Sequence, residues 1–184
     1  MSLETSNNHD ADAPSRWLLE HAALLPRRGR ILDLACGSGR HARWLAGQGF
    51  EVLAVDRDLA ALAGLAGVAG VTAAPHDLEG GGWPLGDEVF AGIVVCRYLH
   101  RPLLPFIAGA LAAGGVLIYE TFMAGNAAYG RPSRPDFLLE PGELRAFATA
   151  QGLQVLDFVE GFVAKPKPAM MQAICARRSE RPAA

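Results

Sequence analysis

The residues best suited to chemistry in this sequence lie where short apolar runs end in glycine turns or carboxylates. The first such place is Asp33-Leu34-Ala35-Cys36-Gly37-Ser38-Gly39. Gly37 and Gly39 let the backbone turn tightly and approach a ligand where any side chain would collide. A helix starting at Arg40 would offer free N–H groups to an acidic or polar group. Gly37-Ser38-Gly39-Arg40-His41-Ala42 also satisfies the G-x-G-x-x-A dinucleotide fingerprint, so the loop alone leaves its ligand open. Asp33 helps to separate the readings. It would repel a nearby pyrophosphate, whereas an amino-acid-like ligand carrying an ammonium would welcome it, directly or through water. Asp56 ends the second apolar run, where a carboxylate can accept hydrogen bonds from both ribose hydroxyls. NAD sites share that feature, so it points to a ribose and not to one cofactor. In His76-Asp77-Leu78, after the third run, the Asp77 carboxylate could accept an adenine amino proton and the next N–H could bond a ring nitrogen. Each carboxylate also has a plain structural reading. Asp33 could cap the glycine turn, Asp56 or Asp58 the next helix, and Asp77 could be a turn residue.

Alternating elements must position these groups. Strands are expected over 30–35, 51–55, 70–74, 91–96 and 116–121. Helices are expected over about 40–48, 59–66, 103–113 and 142–150. Such alternation implies right-handed βαβ units and a parallel sheet covered on both faces. Two further strands, 153–160 and 170–177, are separated only by a short Gly/Pro/Lys loop. That connection is too short for a parallel crossover, so the last strand should run antiparallel. The expected fold is α/β, with five parallel strands followed by a hairpin.

The chain has 184 residues, enough for one domain with a full core. The expected division is a flexible N-terminal tail at 1–14, a single domain at 15–178 and a C-terminal tail at 179–184. A net charge of −2 argues against nucleic-acid binding driven by bulk charge, yet leaves a local basic patch open. No apolar segment is long enough, and free enough of glycine and charge, to span a bilayer. Cys36, Cys96 and Cys175 fit neither a zinc knuckle nor a redox pair, and with no signal peptide they read as reduced cytoplasmic thiols. His9, His21, His41 and His76 show no ligand spacing, so no metal is expected. Oligomeric state is not legible in the sequence.

The run from Asp33 to Gly39, with Asp56 and Asp77-Leu78, resembles the motifs of class I S-adenosylmethionine-dependent methyltransferases. The resemblance covers residues 28–178. It implies a Rossmann-like sheet of about seven strands with an antiparallel C-terminal hairpin, S-adenosylmethionine as methyl donor and S-adenosylhomocysteine as product. Carried over by position, it sets Gly37 and Gly39 against the methionine portion, with Asp33, Ala35 and Cys36 in the same loop. Asp56, beside Arg57, would hold the ribose. Asp77 and Leu78 would hold the adenine, and Cys96 to Tyr98 would pass under the sulfonium. Tyr119-Glu120-Thr121-Phe122, Gly130-Arg131-Pro132 and Pro135-Asp136-Phe137-Leu138-Leu139 are similar to small bacterial methyltransferases labelled tellurite-resistance-like.

Three loops should open on the cofactor's face: the stretches after the fourth and fifth strands and the turn of the final hairpin. They gather Arg97, His100, Arg101, Arg131, Arg134, Lys165 and Lys167, with Tyr98, Phe122 and Tyr129 among them. The expected acceptor is a small molecule, or a group attached to one, that is anionic. Arg97, Arg101, Tyr129, Arg131 and Lys165 are its expected contacts. The alternative is that these charges are solvated, or pair with Glu120, Asp136, Glu140 and Glu160. If the acceptor must lose a proton, Tyr98, His100 and Glu120 are the candidate bases by position. The long loop after the fifth strand is expected to act as a lid. No Asn/Asp-Pro-Pro-Tyr/Phe sequence follows the fourth strand, which counts against amino methylation of adenine. RNA or protein acceptors, an NAD(P)-dependent oxidoreductase and a non-catalytic cofactor-binding protein are the competing readings.

Overall fold

Apolar runs that alternate with glycine stops become strands and short helices in the computed structural model, which describes residues 13–180. In chain order these are α1 (Arg16–His21), β1 (Arg30–Leu34), α2 (Arg40–Gly47), β2 (Glu51–Asp56), α3 (Leu59–Ala63) and β3 (Val71–Pro75). The second half holds β4 (Phe90–Cys96), α4 (Leu104–Gly109), β5 (Leu111–Phe122), α5 (Glu143–Ala150), β6 (Leu153–Val163) and β7 (Ala169–Arg178). The seven strands form one sheet in the order β3-β2-β1-β4-β5-β7-β6. β1 to β5 pair in parallel, and β7 runs antiparallel between β5 and β6. The hairpin closing a parallel sheet is therefore present, and its turn lies at the carboxyl end of the parallel strands.

Burial explains why the central strands are so apolar. All but the last residue of β4 are buried, as a strand covered on both faces must be. One apolar cluster packs Phe90, Tyr119, Ile107 and Leu144 on one face. The other packs Trp17, Leu18, Leu45 and Leu65 on the opposite face.

Three elements differ from the sequence expectation. The α1 helix is unforeseen because six residues are too few for an apolar period to show. Ser15 Oγ caps it by accepting the Leu18 N–H at 3.1 Å, and the Trp17 indole N–H donates to the Ile174 carbonyl at 3.1 Å. Next, α4 ends at Gly109, not 113, because β5 already begins at Leu111. Phe90 pairs with Leu111 and Gly92 with Val116, so residues 112–115 bulge out, with Gly114 at φ 74°. Last, α3 stops at Ala63, with Gly64 as its cap. The expected tails fall almost wholly outside the described residues. Among those residues no helix is long and apolar enough to cross a membrane.

The stretch between β5 and α5, expected to act as a lid, is hydrogen-bonded to the sheet in this structure. Asn126, 1% exposed, donates from Nδ2 to the Pro132 carbonyl at 2.9 Å. Its Oδ1 accepts the Met170 N–H at 3.0 Å. The Met123 N–H reaches the Met170 carbonyl at 3.0 Å, and the Leu139 N–H reaches the Phe122 carbonyl at 3.0 Å. Both ends of the loop and its middle are thus tied to the sheet. Asn126→Ala removes the side-chain partner of two half-buried backbone groups and should lower stability by roughly 1–3 kcal/mol in urea unfolding. The same variant should gain protease cleavage within residues 127–137; unchanged stability and cleavage would restore the lid.

Candidate functional site

The chain order reverses between β1 and β4, and a ligand crevice is expected beyond the carboxyl ends of the strands at that point. A crevice of about 250 Å³ is found there, walled by Ala35, Asp56 and Arg57 on one side and by Arg97 and Tyr98 on the other. His76, Asp77, Leu78 and Glu79 also line it. Ala35 (φ 55°) and Arg97 (φ 56°) are the non-glycine residues held in the left-handed region among the described residues. Such a conformation costs about 1–3 kcal/mol and persists only where the surroundings enforce it. Here the Cys36 N–H is held by the Val55 carbonyl at 3.0 Å, and the Arg97 N–H by the Glu120 carbonyl at 2.9 Å.

The carboxylates of the site divide their work. Asp58 caps α3 through the Ala60 and Ala61 N–H groups at 2.9 and 3.1 Å. That leaves Asp56 for the crevice, where its Oδ2 accepts the Gly37 N–H at 2.8 Å and its Oδ1 the Asp58 N–H at 3.0 Å. A carboxylate has about four acceptor positions, so Asp56 keeps capacity for further hydroxyl donors. Asp77 Oδ1 accepts the Glu79 N–H at 2.9 Å, which shapes the turn while the residue lines the crevice. At the crevice mouth Arg57 and Glu79 pair at 3.8 Å. Glu79 was not foreseen; its position directly after Asp77-Leu78 is the one signal that marks it.

Asp33 lies beneath the loop, 1% exposed, and not in the crevice wall. Its Oδ2 accepts the Ala42 N–H at 2.9 Å, supplying a cap that Gly39, the N-cap residue of α2, lacks. Burial pushes its carboxyl up to about 7 against that hydrogen bond. The turn-capping role is therefore the one the geometry displays. Gly37 faces open space, so only its φ of 55° calls for glycine. A Cβ on Gly39 would fall 2.5 Å from Leu65, so that glycine serves helix packing. Cys36 is buried and its thiol is pushed up by burial, then by Asp33 and Asp56. His41, 3% exposed, accepts the Ser15 N–H on Nε2 at 3.2 Å, and its Nδ1 lies 3.9 Å from Asp33 Oδ1. Burial lowers its pKa to about 3, so the ring is neutral.

Tyr98, one of the expected candidate bases, lines the crevice. Its phenol oxygen is buried without a hydrogen-bond partner among the described residues. Burial, then the Glu79 charge, push it up to about 12, so it carries its proton at neutral pH. The Tyr119 hydroxyl donates to the Tyr98 carbonyl at 2.9 Å and fixes this wall. Deeper along β4, the Cys96 thiol donates to Glu120 Oε1 at 2.9 Å, and Arg40 Nη2 approaches the sulfur at 3.4 Å.

The cationic rim is thinner than the sequence suggests. Arg101 forms a two-pronged pair with Glu143 at 2.7 and 2.8 Å and donates to the Asp136 and Leu138 carbonyls at 3.1 and 2.8 Å. Four of its five N–H donors are thus taken by Glu143 and by the segment just before α5. Burial opposes ionisation of Glu143, yet the Arg101 hydrogen bond holds that carboxyl below its ordinary value. Arg134 pairs with Asp136 at 3.0 Å. Among the described residues Arg97, Arg131, Lys165 and Lys167 have no carboxylate partner within the ion-pair range. His100 is half-buried just ahead of α4. The Tyr129 ring meets Phe162 at 5.2 Å, joining the pinned loop to the hairpin tip. Among the described residues no group of three His, Cys, Asp or Glu side chains could hold a metal ion.

Residues 18–75, from α1 to the end of β3, match the sequence model of the family described as Tellurite resistance protein TehB. A Bacillus subtilis (strain 168) protein, YqeM, whose name places it among methyltransferases, is 49% identical over 45 residues. That stretch is 24% of this chain and 17% of YqeM. The crystal structure of TehB from Haemophilus influenzae superposes with a TM-score of 0.69 at 18% identity, over 96% of this chain and 64% of that one. A TehB-like SAM-dependent methyltransferase from Corynebacterium glutamicum ATCC 13032 Kitasato gives 0.65 at 23% identity, over 95% and 90%. A SAM-dependent methyltransferase from Methanosarcina mazei gives 0.68 at 15% identity, over 87% and 97%. The chain has the class I S-adenosylmethionine-dependent methyltransferase fold. The sequence match spans residues 18–75, which hold the loop 33–39 and Asp56.

The buried pair beneath the loop leaves a signature in stability. Asp33, raised from about 4 to about 7, lowers stability as pH climbs through that range, because the native state prefers its proton. His41, lowered from 6.5 to about 3, does the opposite, since the unfolded state binds the extra proton. Between about pH 4 and 6.5 the two slopes cancel. His41→Asn should leave the Asp33 slope alone, so urea unfolding of this variant should show stability falling as pH rises. A flat or rising profile in the variant would contradict the assignment.

Proposed function

We propose that this chain transfers the methyl group of S-adenosylmethionine to a small acceptor bearing an anionic group. The observation that carries the donor reading is the crevice itself. It presents an oriented carboxylate, Asp56, opposite a buried and unpartnered phenol, Tyr98. A buried hydroxyl left without a partner costs free energy that a ligand's polar group would recover. Asp56 supplies acceptors for ribose hydroxyls, and Asp77 with the Leu78 N–H supplies the pattern an adenine edge requires. Tyr98, as a proton-bearing hydroxyl between them, adds a donor. Ala35, Cys36, Gly37 and Gly39 hold the loop, with Asp33 beneath it, and Arg57 stands at the mouth. The donor supplies a methyl group already activated on a sulfonium, so the chain's own task is to align the acceptor and exclude water.

Arg97, Arg131, Lys165 and Lys167 support an anionic group on the acceptor, because none has a carboxylate partner among the described residues. Tyr129 would complete that rim. A net charge of −2 favours a small acceptor over RNA. The fold is compatible with a larger acceptor only through that same local patch.

Calorimetry with S-adenosylhomocysteine, with NAD as comparison, tests the donor reading. Binding to the first alone is expected. Tyr98→Phe should weaken it about three- to tenfold, the worth of one hydrogen bond. Asp56→Ala should weaken it by about tenfold or more, as loss of a charged acceptor does. Binding of NAD alone would return the glycine loop to dinucleotides. On the acceptor side, KM for carboxylate-bearing acceptors should rise with salt and with Arg131→Ala, while kcat changes little. Absence of both effects would remove the anionic group from the reading.

A further inference from the structure

At the carboxyl end of the sheet Cys96 and Glu120 are register partners, so their side chains share one face. The thiol donates to Glu120 Oε1 at 2.9 Å, while Arg40 Nη2 lies 3.4 Å from the sulfur. Burial, and then the Glu120 charge, push the thiol well above its ordinary range, so it remains S–H and the hydrogen bond runs one way. One carboxylate oxygen is thereby occupied and the side chain is held in a single orientation. That bond leaves the other oxygen, Oε2, unused. The Glu120 side chain is half-buried at this strand end. Two residues further along β5, on the same face, Phe122 pairs with Met171, and both are half-buried. An oriented, half-buried carboxylate beside an apolar pair therefore stands at the carboxyl ends of β4 and β5, next to Arg97 of the crevice wall.

This arrangement bears on what the acceptor is. A nucleophile that is itself a bare oxyanion would meet Glu120 as a like charge. A neutral hydroxyl, amine or thiol would find a proton acceptor already aimed. We infer that Glu120 is the general base for an acceptor whose reacting atom is a protic O, N or S. Cys96 and Arg40 act as positioning residues. The inference rests on the methyl-transfer reading above. In the step, the lone pair of the acceptor atom forms a bond to the methyl carbon. The carbon–sulfur bond breaks, its electron pair stays on sulfur, and the acceptor's proton passes to Glu120. The anionic group bound by the rim is then a separate part of the acceptor from its nucleophile.

The test supplies methyl-tritiated S-adenosylmethionine with a deproteinised bacterial metabolite extract as acceptor pool. Parallel reactions use selenite and dimethyl sulfide, whose attacking atoms carry no proton. Label is expected in an extract compound at an O, N or S that has lost a hydrogen. Glu120→Gln should slow single-turnover transfer about 100-fold or more, with S-adenosylhomocysteine affinity unchanged by calorimetry. The variant's residual rate should climb with pH more steeply than the wild type's, because the acceptor must then lose its proton to solvent before it reacts. Cys96→Ala should lower the rate several-fold, and Cys96→Ser should recover part of it. The inference is overturned if no protic compound is labelled, or if Glu120→Gln transfers at the wild-type rate. It is also overturned if selenite or dimethyl sulfide is methylated equally by both proteins. Failure of the wild type to bind S-adenosylhomocysteine would instead remove the methyl-transfer reading on which it stands.

Discussion

The Ala42 N–H of α2 meets Asp33 Oδ2 of β1 at 2.9 Å beneath the glycine loop, and the geometry of the crevice follows from that contact. The α2 helix begins at a left-handed glycine with no side chain to cap it. Without Asp33 its first turn would present unsatisfied donors directly above the apolar ends of β1 and β4. With it, the loop is drawn down, the Gly37 N–H reaches Asp56 at 2.8 Å, and Asp56 is turned toward the crevice. A buried carboxylate is an expensive cap. It is tolerated because a longer, exposed capping side chain at position 39 would collide with Leu65.

Much of this was legible in the sequence, and the legible part has a common cause. Apolar runs with period and glycine stops report which element a residue ends, so Asp56 and Asp77 could be set at strand ends and found in the crevice. The parallel sheet and its antiparallel close followed from connection lengths alone. Side-chain partners are a different matter. Asp33 and Asp56 look equivalent as text, yet one is sealed under the loop and the other borders the cavity. Arg101 reads like any other rim cation until Glu143, 42 residues later, claims it. The α1 helix and the bulge at 112–115 escaped for a related reason: each is too short for periodicity to register, and each is decided by contacts from distant strands.

Under the proposed function, the tied loop bears on how an acceptor would be received. A mobile lid would create its binding surface on closure and lose chain entropy in doing so. Here Asn126 and the bonds to Met170 and Phe122 tie the segment to the sheet, so under the proposed function the rim would need little ordering to receive an acceptor. Preorganisation of this kind lowers the cost of binding and limits the shapes accepted. It also explains how a loop rich in glycine and proline can present Tyr129 against Phe162 in a defined place.

Core packing and the crevice wall meet at Tyr119. Its ring, 1% exposed, belongs to the apolar cluster beneath the sheet, while its hydroxyl donates to the Tyr98 carbonyl at 2.9 Å. Tyr98 follows Arg97, whose left-handed backbone is held by the Glu120 carbonyl. Two neighbouring β5 residues thus hold the same turn from opposite faces, Tyr119 through its side chain and Glu120 through its backbone. Because the Glu120 side chain also carries the Cys96 hydrogen bond, the crevice wall and the proposed acceptor base share one strand end. Any displacement of β5 there would move both together, and that is a physical reason for β5 to lie deep in the sheet, bonded to β4 and β7 along its length.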